Sequence, residues 1–222
     1  VQTCALPILT LNSLLFENEA AACRELLQFA KPYVDAVIVA DWAAIEICRD
    51  YAIPFHISTQ MSCANSATAR FLKAQGAQRI VLARECTLAE VAQIAQNADI
   101  PVEVFVHGAV CVAVSGRCLL SHEAYGFSAN RGECRQPCRR EFTIHEAREG
   151  QDADAVFRVG AHTVLSARDL CSLPFVDRLM AAGVAAFKIE GRARNPEYGA
   201  TVVSAYRRAV EAVLEGTFTE PL

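Results

Sequence analysis

Short apolar runs alternate along the chain with longer segments in which apolar residues recur at helical spacing. Runs that are apolar at nearly every position are typical of strands buried on both faces of a parallel sheet. The segments between them are typical of helices that cover such a sheet. The pattern predicts strands at 8–16, 36–40, 55–60, 79–83, 102–106 and 184–191. It predicts helices at 18–34, 42–52, 65–76, 87–98, 173–183 and 196–216.

Two architectures suit parallel strands with helical connections: an open doubly wound sheet and a (β/α)8 barrel. No Gly-x-Gly-x-x-Gly motif follows the first strand, which weakens the dinucleotide-binding form of the open sheet. Polar residues appear towards the C-terminal ends of the predicted strands, and in a barrel these strand ends converge on the face that carries the active site. They are Asn12, Asp41, Gln60, Arg84, His107 and Glu190. The alternative for each is a local hydrogen-bonding role at a helix start or in a loop.

We therefore expect an α/β fold of the (β/α)8 TIM-barrel type. The barrel should be incomplete, because the pattern contains about six strands where a closed barrel of this type has eight. One domain covers 8–222 and includes a cysteine-rich insertion at 107–171, whereas 1–7 do not fit the pattern. The chain looks like a fragment that lacks the first one or two strand–helix units.

Composition restricts the class of protein further. The 222 residues, 53% of them hydrophobic, suffice for one sizeable core. No apolar run approaches the ~18–20 residues of a membrane-spanning helix, and no secretory signal precedes the first strand. We expect a cytoplasmic protein with no membrane association and with reduced thiols. The net charge of −4 argues against binding nucleic acid over the whole surface and leaves a local basic patch open.

Five of the ten cysteines follow the fifth predicted strand, in a polar stretch rich in glycine and arginine. Thiolates on loops anchored by a strand suit a metal ion or an iron–sulfur cluster. Structural zinc sites favour tight Cys-x2–4-Cys pairs, and only Cys134-x3-Cys138 has that spacing. The spacing leaves an iron–sulfur cluster, zinc and structural thiols as alternatives. The five are Cys111, Cys118, Cys134, Cys138 and Cys171, whereas Cys23, Cys48, Cys63 and Cys86 are expected to act as small apolar residues.

Two other segments carry charge that could bind a substrate. The stretch 131–140 contains four arginines and one acid, a composition that suits RNA phosphate, charge balance beside thiolates or a solvated face. In the stretch 187–198, Lys188 and Glu190 lie two apart on a strand and so point to the same side, as an ion pair or an acid–base group. Arg192 and Arg194 follow that strand and could hold an anionic substrate.

The sequence resembles a known family in several blocks. The pattern Glu103-x-Phe-x-x-Gly108-Ala-Val-Cys111-x4-Gly116-x-Cys118-x-x-Ser121 is similar to the signature of the peptidase U32 family. The blocks SANRGECRQPCRR, SARDLC and FKIEGR also resemble that family, in the same order. The likeness runs from about Ile8 to the end of the chain. Its pattern is most similar to the members that act as tRNA uridine hydroxylases, with a ribosomal RNA cytidine hydroxylase and ubiquinone-pathway hydroxylase subunits as relatives.

This resemblance implies a barrel fold, oxygen-independent hydroxylation of tRNA to 5-hydroxyuridine, prephenate as the small anionic hydroxyl donor, and a [4Fe–4S] cluster. Cys111, Cys118 and Cys134 match cluster ligands; Cys171 is favoured as the fourth, with Cys138 as the alternative. The expected roles of other residues also follow. Arg131, Arg135 and Arg139 would bind RNA phosphate. Arg84, Arg192 and Arg194 would bind the anionic donor. The catalytic residues would be His107, Gln60 and Glu190.

Three other functions remain open at this point. A peptidase would use Cys111 or Cys118 as its nucleophile, although no Ser-His-Asp or His-Glu-x-x-His arrangement is visible. A ribosomal RNA or ubiquinone-precursor hydroxylase subunit would share the cluster and change the substrate. A binding module would keep a structural metal and dock on another subunit. Association with a second copy or with another chain is compatible with each function.

Overall fold

The computed structural model describes residues 7–142, 144–145, 156–157, 165–192 and 194–219. Strands and helices alternate along these ranges in the predicted order. The strands are β1 Ile8–Leu11, β2 Ala36–Val39, β3 Phe55–Ile57, β4 Arg79–Val81, β5 Val102–Gly108, β6 Ile144–His145, β7 Val156–Phe157, β8 Leu170–Cys171 and β9 Ala186–Ile189. The helices are α1 Ala20–Ala30, α2 Trp42–Asp50, α3 Ser66–Ala74, α4 Leu88–Asn97, α5 Leu120–Tyr125, α6 Val176–Ala181 and α7 Pro196–Leu214.

The main sheet is parallel and curls into a half-barrel. Strands β1 to β5 are neighbours in sequence order, and β9 pairs in parallel with β5. The short strand β8 pairs antiparallel with the end of β5, and β6 pairs antiparallel with β7 in a separate two-stranded sheet. All six predicted strands are therefore present, and the expected incomplete barrel is found as a half-barrel.

The first strand is shorter than the sequence predicts, because it ends at Leu11 instead of continuing to residue 16. Beyond it, the backbone N–H of Leu14 donates to the carbonyl of Asn130 at 3.1 Å. The next N–H, that of Leu15, donates to the carboxylate of Asp41 at 3.2 Å. These donors are thus satisfied by loops instead of a neighbouring strand, which explains why the apolar run leaves the sheet early.

Helices α2, α3, α4 and α7 begin at polar side chains that cap their first turn. The predicted capping box of α4 is present, with Thr87 Oγ1 accepting from the Glu90 N–H while the Glu90 carboxylate accepts from the Thr87 N–H. Asp41 caps α2, since its carboxylate accepts from the Ala43 N–H at 2.8 Å. The local role considered for Asp41 is therefore the observed one.

The core lies between the outer face of the sheet and the helices. Val39, Ile57 and Ile80 from the strands are completely buried against Leu27 and Leu72 from the helices. Burying each such side chain contributes about 1.5–3 kcal/mol. Three of the cysteines expected to be small apolar residues join this core: Cys23, Cys48 and Cys63. No helix in the described part of the chain is both long and apolar enough to cross a membrane.

Candidate active site at the mouth of the half-barrel

A cavity of about 280 Å³ opens at the carboxyl ends of the parallel strands. In (β/α) barrels this end of the sheet carries the active site. One wall comes from the strand ends and the other from residues 109–142, which we call the excursion. The strand ends contribute Asn12, Gln60, Arg84, Lys188, Glu190 and Arg192 to the cavity. Of the predicted reacting and anion-binding residues, the fold thus gathers Gln60, Arg84, Glu190 and Arg192.

The excursion places four thiols on this cavity: those of Cys111, Cys118, Cys134 and Cys138. Burial raises the pKa of the Cys138 thiol, and the nearby Cys111, Cys134 and Cys118 raise it further. Cys138 is therefore electrostatically coupled to the other three. Within the described ranges, no three or more His, Cys, Asp or Glu side chains are gathered closely enough to hold a single metal ion. The thiols share one cavity without converging on one point.

Cys171, which the sequence favoured as a fourth ligand, lies elsewhere. It belongs to β8, opposite His107 of β5. The N–H of the next residue, Ser172, donates to the Tyr206 hydroxyl at 2.9 Å, and Cys171 is not among the residues that line the cavity. The geometry therefore offers Cys138 in this position, and the Cys134-x3-Cys138 spacing is the sequence signal for it.

Two glycines allow the excursion to pass close to the strand ends. Gly108 has φ +101°, and a Cβ at this position would overlap the carbonyl oxygen of Glu190. Gly116 has φ +72°, and a Cβ there would overlap the carbonyl oxygen of Gln60. Positive φ and backbone contact both require glycine at these positions. The two glycines of the signature-like pattern, Gly108 and Gly116, are thus the points where the excursion crosses the end of β9 and the loop after β3.

A buried serine fixes the same crossing. Ser115 is completely buried, and its N–H donates to the Glu85 carboxylate at 2.9 Å while its hydroxyl donates to it at 3.1 Å. The Ser62 hydroxyl donates to the Ser115 carbonyl. These contacts attach the excursion to the loops that follow β3 and β4. Neither Glu85 nor Ser115 was singled out from the sequence, because nothing in their local pattern distinguishes them from surface residues.

The predicted RNA-binding arginines fall into two kinds. Both terminal nitrogens of Arg131 bind the Glu19 carboxylate, one of them at 2.9 Å, and hold the pKa of that carboxyl at about 2. Arg139 lines the cavity and contacts Asp169 at 3.4 Å and the Val110 carbonyl at 3.3 Å. These two side chains thus attach the excursion to the body. Arg135, by contrast, is exposed.

Lys188, which lines the cavity, belongs to a charged cluster. Glu103 is buried and receives Lys188 and Arg79, each at 3.3 Å. Lys188 and Glu190 both face the cavity, as predicted, but the partner of Lys188 is Glu103. Glu190 instead accepts the N–H of Arg192 at 2.9 Å. Burial, together with the adjacent Arg79, lowers the pKa of His56 beneath this cluster.

Elsewhere on the cavity wall, Arg84 lies over the ring of Phe105, with its guanidinium carbon 4.7 Å from the ring centre. Its side chain is held by this contact instead of by a carboxylate among the residues described. Arg84 and Arg192 therefore present positive charge to the cavity, opposed on this wall by Glu190.

His107 and Arg194 lie outside the cavity. The strand β5 has a register irregularity between Phe105 and His107, and such a bulge changes the face to which the following side chain points. The His107 ring packs against Tyr206, with ring centres 5.6 Å apart, and lines a second cavity of about 400 Å³ that shares Arg84 and Phe105 with the first. Its Nδ1 is buried without a partner among the described residues. Arg194 binds Asp169 at 2.7 Å.

The mouth of this α/β half-barrel thus combines four thiols with arginine and lysine side chains. The model of peptidase family U32 matches residues 6–222. The chain therefore belongs to the U32 family, as the sequence blocks indicated.

Several relatives are similar over most of this chain. A collagenase of Porphyromonas gingivalis is 36% identical over 96% of the chain and 53% of its own length. A tRNA hydroxylation protein of Bacillus subtilis is 38% identical over 81% of the chain and 43% of its own length. A 23S rRNA 5-hydroxycytidine synthase of Escherichia coli is 37% identical over 93% of the chain and 31% of its own length. The chain thus spans about half, or less, of these relatives.

Proposed function

We propose that this chain forms the catalytic half-barrel of an enzyme that hydroxylates a pyrimidine base of RNA, with tRNA uridine as the substrate. The observation that carries the proposal is the single cavity in which four thiols face Arg84, Lys188 and Arg192. Relatives named for tRNA hydroxylation and for rRNA 5-hydroxycytidine synthesis support the reaction class. In this proposal prephenate, or a similar small organic anion, supplies the hydroxyl group.

We propose that the thiols hold an iron–sulfur cluster and not a single zinc ion. A tetrahedral zinc site brings its sulfur ligands to Zn–S distances of ~2.3 Å around one point. The four thiols share the cavity without such convergence. A [4Fe–4S] cluster has its ligands on separate corners and suits wider spacing. We propose Cys111, Cys118 and Cys134 as ligands, with Cys138 as the fourth by position and Cys171 as the alternative from the sequence.

When bound, such a cluster would supply redox or Lewis-acid chemistry at the mouth of the half-barrel. The chain's own residues would position the reactants. Arg84 and Arg192 would hold the carboxylate of the donor, because arginine binds carboxylates in fork geometry. Glu190 and Gln60 remain on the same wall to accept or donate hydrogen bonds to the base. His107 has no part in this proposal, because its ring faces α7.

A peptidase is the second candidate, supported by the collagenase among the relatives. A cysteine nucleophile needs a histidine or a similar base beside it. Among the described residues that line the cavity, none is a histidine, and His107 packs against Tyr206. The described lining of the cavity therefore offers no histidine to activate a thiol for proteolysis.

The test begins with anaerobic purification of the full-length protein that contains this chain. We expect iron and sulfide in cluster stoichiometry, visible absorbance, and hydroxylated pyrimidine in tRNA treated with the protein and prephenate. A colourless protein with stoichiometric zinc would contradict the cluster. Cleavage of a collagen-like peptide that is abolished by alkylating one thiol, without any change in tRNA, would favour the peptidase.

A further inference from the structure

An exposed group of aromatic and arginine side chains borders the cavity on the excursion side. It consists of Tyr125, Phe127, Arg135 and Arg140, which we call the stacking patch. The guanidinium carbon of Arg135 lies 4.2 Å from the ring centre of Phe127, and that of Arg140 lies 5.0 Å from the ring centre of Tyr125. Both rings remain exposed, at 38% and 39%.

The patch lies at the rim of the cavity. Arg135 stands in the chain between Cys134 and Gln136, and both of these residues line the cavity. A molecule that occupies the cavity and extends past Cys134 therefore meets the patch next.

The arginines of the patch differ from the neighbouring arginines of the same basic run. Arg131 and Arg139 are half-buried and bind Glu19 and Asp169. Arg135 and Arg140 are exposed, and neither contacts a carboxylate within the part of the chain that the structure describes. Their positive charges are therefore not neutralised by the described residues. In this basic run, two arginines attach the excursion to the rest of the half-barrel, and the other two direct their charge to solvent.

The backbone holds Phe127 and Arg135 to one buried residue. Helix α5 ends at Gly126, which has φ +72°, and the chain turns back so that the Phe127 N–H donates to the Ser121 carbonyl at 3.4 Å. The Arg135 N–H donates to the Ser121 hydroxyl at 3.0 Å. Ser121 is completely buried. The ring and the guanidinium are therefore placed together by the fold before any ligand binds.

We propose that the stacking patch binds an unpaired nucleotide that flanks the base entering the cavity. The inference rests on the proposed RNA hydroxylation. Aromatic rings stack on bases that are not paired, and an arginine beside them reaches the phosphate. A paired base, in contrast, cannot present its ring face or enter a cavity without leaving the stack. The two guanidinium groups favour a phosphate-bearing partner over an uncharged peptide.

The experiment measures binding of the iron-loaded full-length protein to two labelled RNAs by fluorescence anisotropy. One is a hairpin with an unpaired loop and the other is a fully paired duplex of equal length. We expect Phe127→Leu to weaken hairpin binding about 5- to 10-fold, the loss of roughly one stacked base, with no change for the duplex. Arg135→Gln should weaken hairpin binding and lower the slope of log Kd against log salt by about 0.7.

Two further variants separate a stacking role from a structural one. Phe127→Trp keeps a stacking ring and should bind the hairpin at least as tightly as the wild type. Phe29→Leu changes an aromatic residue that is 72% exposed on α1, and it should leave both Kd values unchanged. If Phe127→Leu lowers the iron content or the melting temperature, its binding result is not used, and Phe127→Trp and Arg135→Gln decide the question.

Unchanged hairpin binding by both Phe127→Leu and Arg135→Gln would overturn the stacking patch. Continued hydroxylation by the wild type would then leave the proposed function standing. If the wild-type protein binds neither RNA and modifies none, the proposed function itself fails. Loss of binding to a collagen-like peptide in these variants, with RNA binding intact, would assign the patch to a protein partner and overturn the inference.

Discussion

The body of the half-barrel and the excursion use cysteine in opposite ways. In the body, Cys48 is completely buried among apolar side chains, and burial raises the pKa of its thiol to about 12. Such a thiol stays protonated and packs as a small apolar group. In the excursion, Cys111 and Cys134 are exposed and line a cavity with two other thiols. The surroundings, not the residue type, decide which cysteines can bind a metal.

The two regions also differ in how they are held. Side chains such as Ile57 and Leu72 stabilise the body by apolar burial on the outer face of the sheet. The excursion has short helices, and polar contacts attach it to the body through Ser115, Arg131 and Arg139. A region held by a large apolar core opens only with the core, whereas a region held by a few polar contacts can open locally when one of them is removed. The account therefore predicts different responses to substitution in the two regions.

The largest expected effect follows from replacing a thiol in each region. Cys134→Ser should lower the iron content of the anaerobically purified full-length protein by at least about tenfold, because it removes a proposed ligand. Cys48→Ser is the matched control and should keep its iron while losing about 1–3 kcal/mol of stability, the cost of burying a hydroxyl. Iron assays and thermal melts measure both. Equal iron loss in the two variants would contradict the assignment of metal binding to the excursion cysteines alone.

A second pair of variants decides which of two thiols is the fourth cluster ligand. Cys138 lines the cavity and Cys171 does not, so Cys138→Ser should lose more iron than Cys171→Ser. Iron and sulfide analysis of both purified proteins gives the answer. The reverse order would support the fourth ligand predicted from the sequence and would place Cys171 at the cavity when the cluster is bound.

Apolar truncation should separate the regions by stability. Ile57→Ala removes a completely buried side chain from the body and should cost about 2–5 kcal/mol in the free energy of unfolding. Val112→Ala changes an excursion residue that is 42% exposed and should cost within about 0.5 kcal/mol. Denaturant unfolding of the two proteins measures the difference. A large loss for Val112→Ala would mean that the excursion has an apolar core of its own.

The smallest effect concerns the attachment of the excursion at Glu19. The pKa of this carboxyl is lowered to about 2, chiefly by its hydrogen bond to Arg131. Its contribution is therefore fully present above about pH 4.3, the unfolded value, and is lost as the pH falls towards 2. Arg131→Gln should remove this dependence and speed amide exchange in the excursion at neutral pH, leaving β2 and β3 unchanged. Exchange that stays as slow as in the wild type would mean that this ion pair does not hold the excursion.

The sequence predicts the body far better than the excursion. All six parallel strands and the capping box of α4 follow from local patterns of apolar spacing and polar caps. The direction of His107 does not, because a bulge in β5 changes its face and leaves no trace in the alternation. The sequence also placed Arg131 beside RNA phosphate, whereas its partner Glu19 lies 112 positions away. Contacts of that range depend on the fold and are not encoded in the neighbouring residues.

The cysteine-rich stretch shows the same division. The sequence identified Cys111, Cys118 and Cys134 as a set, and the fold brings them to one cavity. It favoured Cys171 over Cys138, because the order of the blocks says nothing about which thiol turns towards the cavity. The rest of the predicted insertion, at residues 143, 146–155 and 158–164, lies outside the described residues.

The most direct test of the central claim is nucleoside mass spectrometry of tRNA and ribosomal RNA from cells that lack the full-length protein. The cells are complemented with the intact protein or with Cys134→Ser, and expression of both proteins is matched. We expect the intact protein to restore a hydroxylated pyrimidine in tRNA and Cys134→Ser to leave it absent. Restoration by Cys134→Ser, or no hydroxylated pyrimidine with the intact protein, would contradict thiol-dependent RNA hydroxylation at this cavity.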